Sequence, residues 1–182
     1  MIRSPLRLFV LALTAVLAAL VLPGTAQAAP YCGITWGSLA KTAGNHAPAD
    51  LGDELSAVRT GRHTCFDRLV IDVTGATDLN SFDVRYVSQV TSDGSGFVVP
   101  LRGAADIQVT LASHNHNYRP ANRNELANVS GYTTFRQVAW AGGFEGYSSV
   151  GLGVRARLPF RAFVLSGPGD TVRLVIDVAH AW

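Results

Sequence analysis

From Cys65 to the C-terminus, apolar and polar residues alternate with a period of two, the pattern of strands that bury one face. In 68–73, Leu69, Ile71 and Val73 share one side, and Arg68, Val70 and Asp72 the other. In 82–90, Phe82, Val84 and Tyr86 point inward against Asp83 and Arg85. Residues 105–111 repeat the scheme with Ala105, Ile107, Val109 and Leu111 inward, and 133–140 reads as a further strand. In 154–165, Val154, Ala156, Leu158 and Phe160 oppose Arg155, Arg157 and Arg161. Segment 97–101 is apolar but contains Pro100, which predicts an edge strand. Turns are expected at Asp93-Gly94-Ser95-Gly96 and Gly167-Pro168-Gly169-Asp170. Between the strands, 113–131 is polar and irregular, with room for a helical turn at 122–128, and 141–153 is glycine-rich. About seven strands joined by turn residues, with little helix, predict a mainly β protein, a β-sandwich.

The hexapeptide Arg-Leu-Val-Ile-Asp-Val occurs twice, at 68–73 and at 173–178. Each buried Leu, Ile or Val is worth roughly 1.5–3 kcal/mol. Arg and Asp lie on the opposite, wetter face. Two arrangements fit. The copies are antiparallel neighbours, with Arg68 facing Asp177 and Asp72 facing Arg173, or one copy sits in each of two similar sheets. Parallel pairing in register would set Arg against Arg, which is unfavourable.

The N-terminal residues change the picture of where this sandwich works. Arg3 and Arg7 precede an apolar run from Leu8 to Leu22, Pro23-Gly24 breaks it, and Ala26-Gln27-Ala28 is a cleavage site. Residues 1–28 therefore read as a signal peptide, with a mature start at Ala29 and a secreted or cell-wall-associated product. The run is short for a membrane span of about 20 residues, and no other stretch is long enough for one. Residues 29–62 form an N-terminal arm rich in Gly, Pro and Asn, with helix-compatible pieces at Trp36–Thr42 and Leu51–Val58 and with Trp36 expected to be buried. The sandwich domain is expected over 63–182. Cys32 and Cys65 are the only cysteines, and in an exported chain they predict one disulfide that tethers the arm. A loop of this length is worth about 3–4 kcal/mol on the chain-entropy account. The whole chain carries a net charge of +2. Loss of Arg3 and Arg7 with the leader makes basic and acidic residues equal in number, which argues against nucleic acid as a partner.

Catalytic chemistry finds no foothold. There is no Gly-x-Ser-x-Gly around the Ser148-Ser149 pair. Glu125 and Glu145 read as surface charges rather than a glycosidase pair. His114 and His116 lack a third ligand at a metal-binding spacing. No catalytic residue, metal or cofactor is expected. Two features favour binding instead. Trp140, Phe144 and Tyr147 are interleaved with Gly142, Gly143 and Gly146, which suits stacking on sugar rings. The alternative for these is core aromatics beside glycine bulges. Arg155, Arg157 and Arg161, with Arg136, suit carboxylates or phosphates such as those of peptidoglycan stems or an anionic cell-wall polymer. The alternative for these is a solvated sheet face.

The repeated strand matches Arg-[Leu/Ile/Val]-[Val/Ile]-[Leu/Ile/Val]-Asp-[Leu/Val/Phe], the mark of AMIN domains. With "CGITWGSLAK", "GRHTCFDRLVIDV", "YRPANRNELANVSGYTTFRQVAWAGGFEGY", "GLGVRARLPFRAF" and "RLVIDVAHAW", the mature chain resembles the AMIN-like proteins of high-G+C Gram-positive bacteria. That resemblance implies an AMIN-like β-sandwich associated with the cell envelope. AMIN domains proper localise their carriers through peptidoglycan contact, and several lack enzymatic activity of their own, so a non-enzymatic module is expected. A different class also fits a small, disulfide-stapled, β-rich secreted chain: a protease inhibitor or other protein-interaction domain, with 113–131 as the presented loop.

Overall fold

The structure is a computed structural model and describes residues 31–182. The signal peptide read at 1–28 and the mature start at Ala29 lie outside the described residues. Among the described residues, eleven strands form: β1 (Lys41–Gly44), β2 (Glu54–Arg62), β3 (Phe66–Thr74), β4 (Ser81–Val87), β5 (Val90–Thr91), β6 (Val98–Val99), β7 (Ala105–Ala112), β8 (Phe135–Phe144), β9 (Tyr147–Val154), β10 (Phe160–Ser166) and β11 (Thr171–Ala179). A five-stranded sheet runs β1-β4-β7-β9-β8, a four-stranded sheet runs β10-β11-β3-β2, and β5 and β6 make a separate ribbon. Every named pairing is antiparallel. The mainly β expectation holds.

The core lies between the two sheets. Leu69, Ile71, Val73, Leu174, Ile176 and Val178 of the repeat are all 0% exposed, as are Val84, Ile107, Val109, Leu111, Val138, Val150 and Leu152 on the facing sheet. The two copies of the hexapeptide are neighbours in one sheet: β11 pairs β3, with Arg173 opposite Asp72 and Asp177 opposite Arg68. The outer face of that pair is drier than its composition suggests. Asp177 is 0% exposed, beneath the guanidinium groups of Arg68 and Arg161. Asp72 is buried too, and is held by Arg59 at 2.6 Å rather than by Arg173, its register partner.

Several elements depart from the sequence reading. No helix forms at 36–42, 51–58 or 122–128; the first two contribute to β1 and β2, and the third lies along β8 through Leu126 N–H to Val138 O and Trp140 N–H to Arg123 O. The helical look of 51–58 comes from the three-residue spacing of Leu55 and Val58. A β-bulge between Leu55 and Ala57 produces that spacing within a strand. The arm thus supplies an edge strand to each sheet, with β1 on β4 and β2 on β3. Residues 154–165 are not one strand. β9 ends at Val154, the chain crosses between sheets, and β10 starts at Phe160. The alternation survives the crossing because Leu158 and Phe160 still enter the core.

The glycine-rich stretch after Trp140 is a hairpin. Phe144 pairs with Tyr147 across Glu145-Gly146, whose φ angles of 50° and 79° fit a type I′ turn. Its remaining glycines make room on the outer face of the five-stranded sheet. A Cβ on Gly151 would lie 3.0 Å from Val90 Cγ1, and one on Gly153 would lie 2.1 Å from Arg102 O. The flap 88–104, which carries β5 and β6, therefore lies flat on β9. Gln108 fastens it, its amide accepting from Thr91 N–H and donating to Thr91 O.

Candidate functional site

The arginines read as a stripe are dispersed by the crossover between sheets. Arg161 donates to Asp177 at 2.8 Å and stacks against Trp36, Phe66 and Phe163 on the outside of the four-stranded sheet. Arg155 bonds the His180 carbonyl, and Arg157 covers the Tyr86 ring at 4.7 Å. Arg136, on β8, turns back on the carbonyls of Tyr132 and Phe135. Each has a structural partner, and they share no face.

The aromatic trio divides. Trp140 belongs to the core, 8% exposed. Phe144 is 53% exposed and packs over Gly94. Tyr147 directs its hydroxyl to the His46 carbonyl. His114 and His116 stack at 5.1 Å, and His116 Nδ1 stands 3.5 Å from Glu54. Among the described residues, they join no group of three or more potential metal ligands.

The hairpin end nevertheless builds a cleft. Three segments meet there: the flap turn with Ser92 and Asp93, the end of β8 with Trp140, Gly142 and Gly143, and the loop with Asn115, Tyr118, Arg119, Pro120 and Arg123. Their cavity is about 410 Å³, within the range of small-ligand sites. Tyr118 lies on Trp140 with ring centroids 5.2 Å apart, so the buried indole supports an aromatic side chain that reaches the cleft. The wall needs glycine. A Cβ on Gly143 would stand 1.9 Å from Asn115 Nδ2, and one on Gly142, whose φ is 98°, would stand 2.9 Å from Ser92 Oγ. A second cavity of about 300 Å³ lies beyond Asp93, lined by Gly94, Thr110, Phe144, Glu145 and Tyr147. Asp93 borders both cavities.

The charges of this groove are largely unspent. Among the described residues, Arg119 donates to backbone carbonyls, those of Asn115 and Tyr118. Among the described residues, neither Arg119 nor Arg123 forms an ion pair. Burial pushes the Asp93 carboxyl up from the ordinary aspartate range, and a hydrogen bond from Ser149 works the other way. Asp93 Oδ2 is buried without a hydrogen-bond partner. Burial also raises the Tyr118 phenol. An arrangement of guanidinium groups without ion-pair partners beside an aromatic ring suits recognition of a polar, charged ligand.

Sequence reasoning brought Trp140, Phe144 and Tyr147 to this end of the molecule but missed Asp93, Tyr118, Arg119 and Arg123. One signal was present. "YRPANR" puts two arginines and a tyrosine in a segment with no carboxylate before Glu125, so its guanidinium groups lack a local partner.

A search of curated proteins finds no match to the chain. The family model for the AMIN-like domain matches residues 53–180, from the start of β2 through the last strand and including both copies of the repeat. With its mainly β sandwich and the two copies of the repeat paired as β3 and β11, the chain belongs to the AMIN-like domain family.

Proposed function

We propose that the protein is a secreted, non-catalytic module that associates with the cell envelope by binding peptidoglycan, and that the cleft at the β8–β9 hairpin is its binding site. AMIN-like domains are generally cell-envelope-associated modules, which supports the broader part of this reading. The observation that carries the site is the pair Arg119 and Arg123, without ion-pair partners among the described residues, bordering a cavity that also holds Tyr118. Guanidinium forks bind carboxylates, and a tyrosine ring contributes contact area at low entropic cost. Phe144 and Tyr147 stay in the proposed site through the adjoining cavity. Arg136, Arg155, Arg157 and Arg161 are left out of it, because none of them lines either cavity.

The inhibitor alternative draws less support. The loop 113–131 does not stand clear of the body: Tyr118 packs on Trp140, and Arg123 and Leu126 bond to β8.

Sedimentation of the exported protein with purified cell walls tests the reading. Walls stripped of their anionic polymers should retain it as well as native walls do. Binding that disappears with those polymers would transfer the ligand from peptidoglycan to the polymer.

A further inference from the structure

The two cavities that meet at Asp93 differ in charge, and that difference narrows the ligand. The inference rests on the peptidoglycan reading above. On one side lie Arg119 and Arg123, with Asn115 and Ser92 as neutral polar neighbours. On the other lies Glu145, with Thr110 and Tyr147. Asp93 stands between them and borders both. The groove therefore has a basic end and an acidic end within one continuous run of lining residues.

A polyanion suits only half of such a groove. Its charges would meet the guanidinium groups, but the next repeat would face Asp93 and Glu145, and like charges repel. A neutral glycan would leave the guanidinium groups without a charged counterpart. A short peptide bearing both a carboxylate and an ammonium satisfies both ends. From these juxtaposed cavities we infer that the site binds a zwitterionic peptide, its carboxylate on Arg119 and Arg123 and its ammonium on Asp93 and Glu145. In peptidoglycan that chemistry belongs to the peptide stem, not to the sugar strand.

The orientation makes the inference separable into two halves. A tetrapeptide with an acetylated N-terminus, one free lysine ammonium and one free terminal carboxylate is the probe, titrated into the exported protein by calorimetry. Acetylating the lysine or amidating the carboxylate should each weaken binding about tenfold, the equivalent of one charge-assisted hydrogen bond. The variants should respond crosswise. Asp93→Asn should weaken the parent peptide but not the lysine-acetylated one. Arg119→Gln with Arg123→Gln should weaken the parent peptide but not the amidated one. Melting temperatures no lower than that of the parent protein exclude unfolding, and the crosswise pattern cannot arise from a general loosening of the cleft.

Equal affinity for parent and blocked peptides would overturn the inference. So would tighter binding of a neutral N-acetylglucosamine oligomer or of a polyglycerol phosphate. Competition against purified walls keeps the two levels apart. Protein that sediments with walls but is not displaced by saturating zwitterionic peptide contradicts the peptide assignment and leaves wall binding intact. Protein that fails to sediment with any wall contradicts the functional reading itself.

Discussion

Arg68 of β3 donates two hydrogen bonds to Asp177 of β11, at 2.6 and 2.9 Å, from the position directly opposite it in the strand register. The repeated hexapeptide meets its own reverse, so the arginine of one copy finds the aspartate of the other. Arg161 of β10 adds two more contacts to the same carboxylate. The carboxylate has no exposed surface and depends wholly on these partners.

Asp177→Asn should therefore destabilise the fold by about 3–5 kcal/mol, the usual effect of breaking a buried ion pair. Arg68→Ala and Arg161→Ala should each cost less, because the remaining guanidinium still compensates the carboxylate. The double variant should cost more than the two single costs combined. Denaturant melts of the four proteins measure this; additive arginine effects would mean that the two do not share Asp177.

The Asp93 carboxyl is raised by burial, so folding shifts it toward the protonated form. For an acid with a raised pKa, the folded state binds more protons than the unfolded state. Stability then falls as pH rises from the unfolded aspartate value, near 4, through the folded one. Asp93→Asn should accordingly raise stability at neutral pH, by about 1 kcal/mol, and the gain should vanish in acid. Thermal melts of both proteins at neutral and acid pH check it; a stability loss in the variant at pH 7 would contradict the assignment.

Cys32 and Cys65, 33 positions apart in sequence, are bonded. The bond holds Trp36 near Phe66, ring centroids 6.0 Å apart, and Gly37 bridges to Phe160 at the β10 edge. Cys32→Ser with Cys65→Ser should cost about 3–4 kcal/mol. Hydrogen exchange should then speed up first at β1 and at Phe160, whose amide bonds the Gly37 carbonyl. Uniform exchange across all strands would contradict a local role for the tether.

Gly153→Ala tests why the flap lies where it does. The added carbon would stand 2.1 Å from the Arg102 carbonyl, a backbone atom with no rotamer to yield. Overpacking of this kind costs about 1–3 kcal/mol. The flap should lift, and the Gln137 side chain should lose its bond from Arg102 N–H, 2.8 Å in the native fold. Amide exchange at Arg102 reads that bond directly; unchanged protection would mean that the flap tolerates the added carbon.

The inward faces were legible because a period of two survives wherever a strand is regular. The parity of Leu69, Ile71 and Val73, and that of Ile107, Val109 and Leu111, carries straight into the core. The pairing of the repeat was narrowed to two arrangements, and charge matching favours the observed one over a parallel register. Legibility failed at two kinds of position. Bulges change the spacing, so β2 resembled a helix. Small residues on an outer face signal a covering segment, and nothing local says which one; Gly151 and Gly153 are explained only by Val90, Leu101 and Arg102, far away in sequence. The cleft fell in the same gap. Asp93, Tyr118 and Trp140 come from three segments whose meeting depends on the flap's position.

The most direct test of the account compares two double variants in wall sedimentation at about 0.1 M and 1 M salt, where the screening length falls from about 10 Å to about 3 Å. Arg119→Gln with Arg123→Gln should lower wall binding about tenfold at low salt and change little at high salt, with an unchanged melting curve. Arg155→Gln with Arg157→Gln removes the same charge from the crossover between sheets and should leave binding as it is. Equal losses in both variants would mean that net charge rather than the cleft holds the protein to the wall, and full binding by the Arg119 and Arg123 variant would place the site elsewhere.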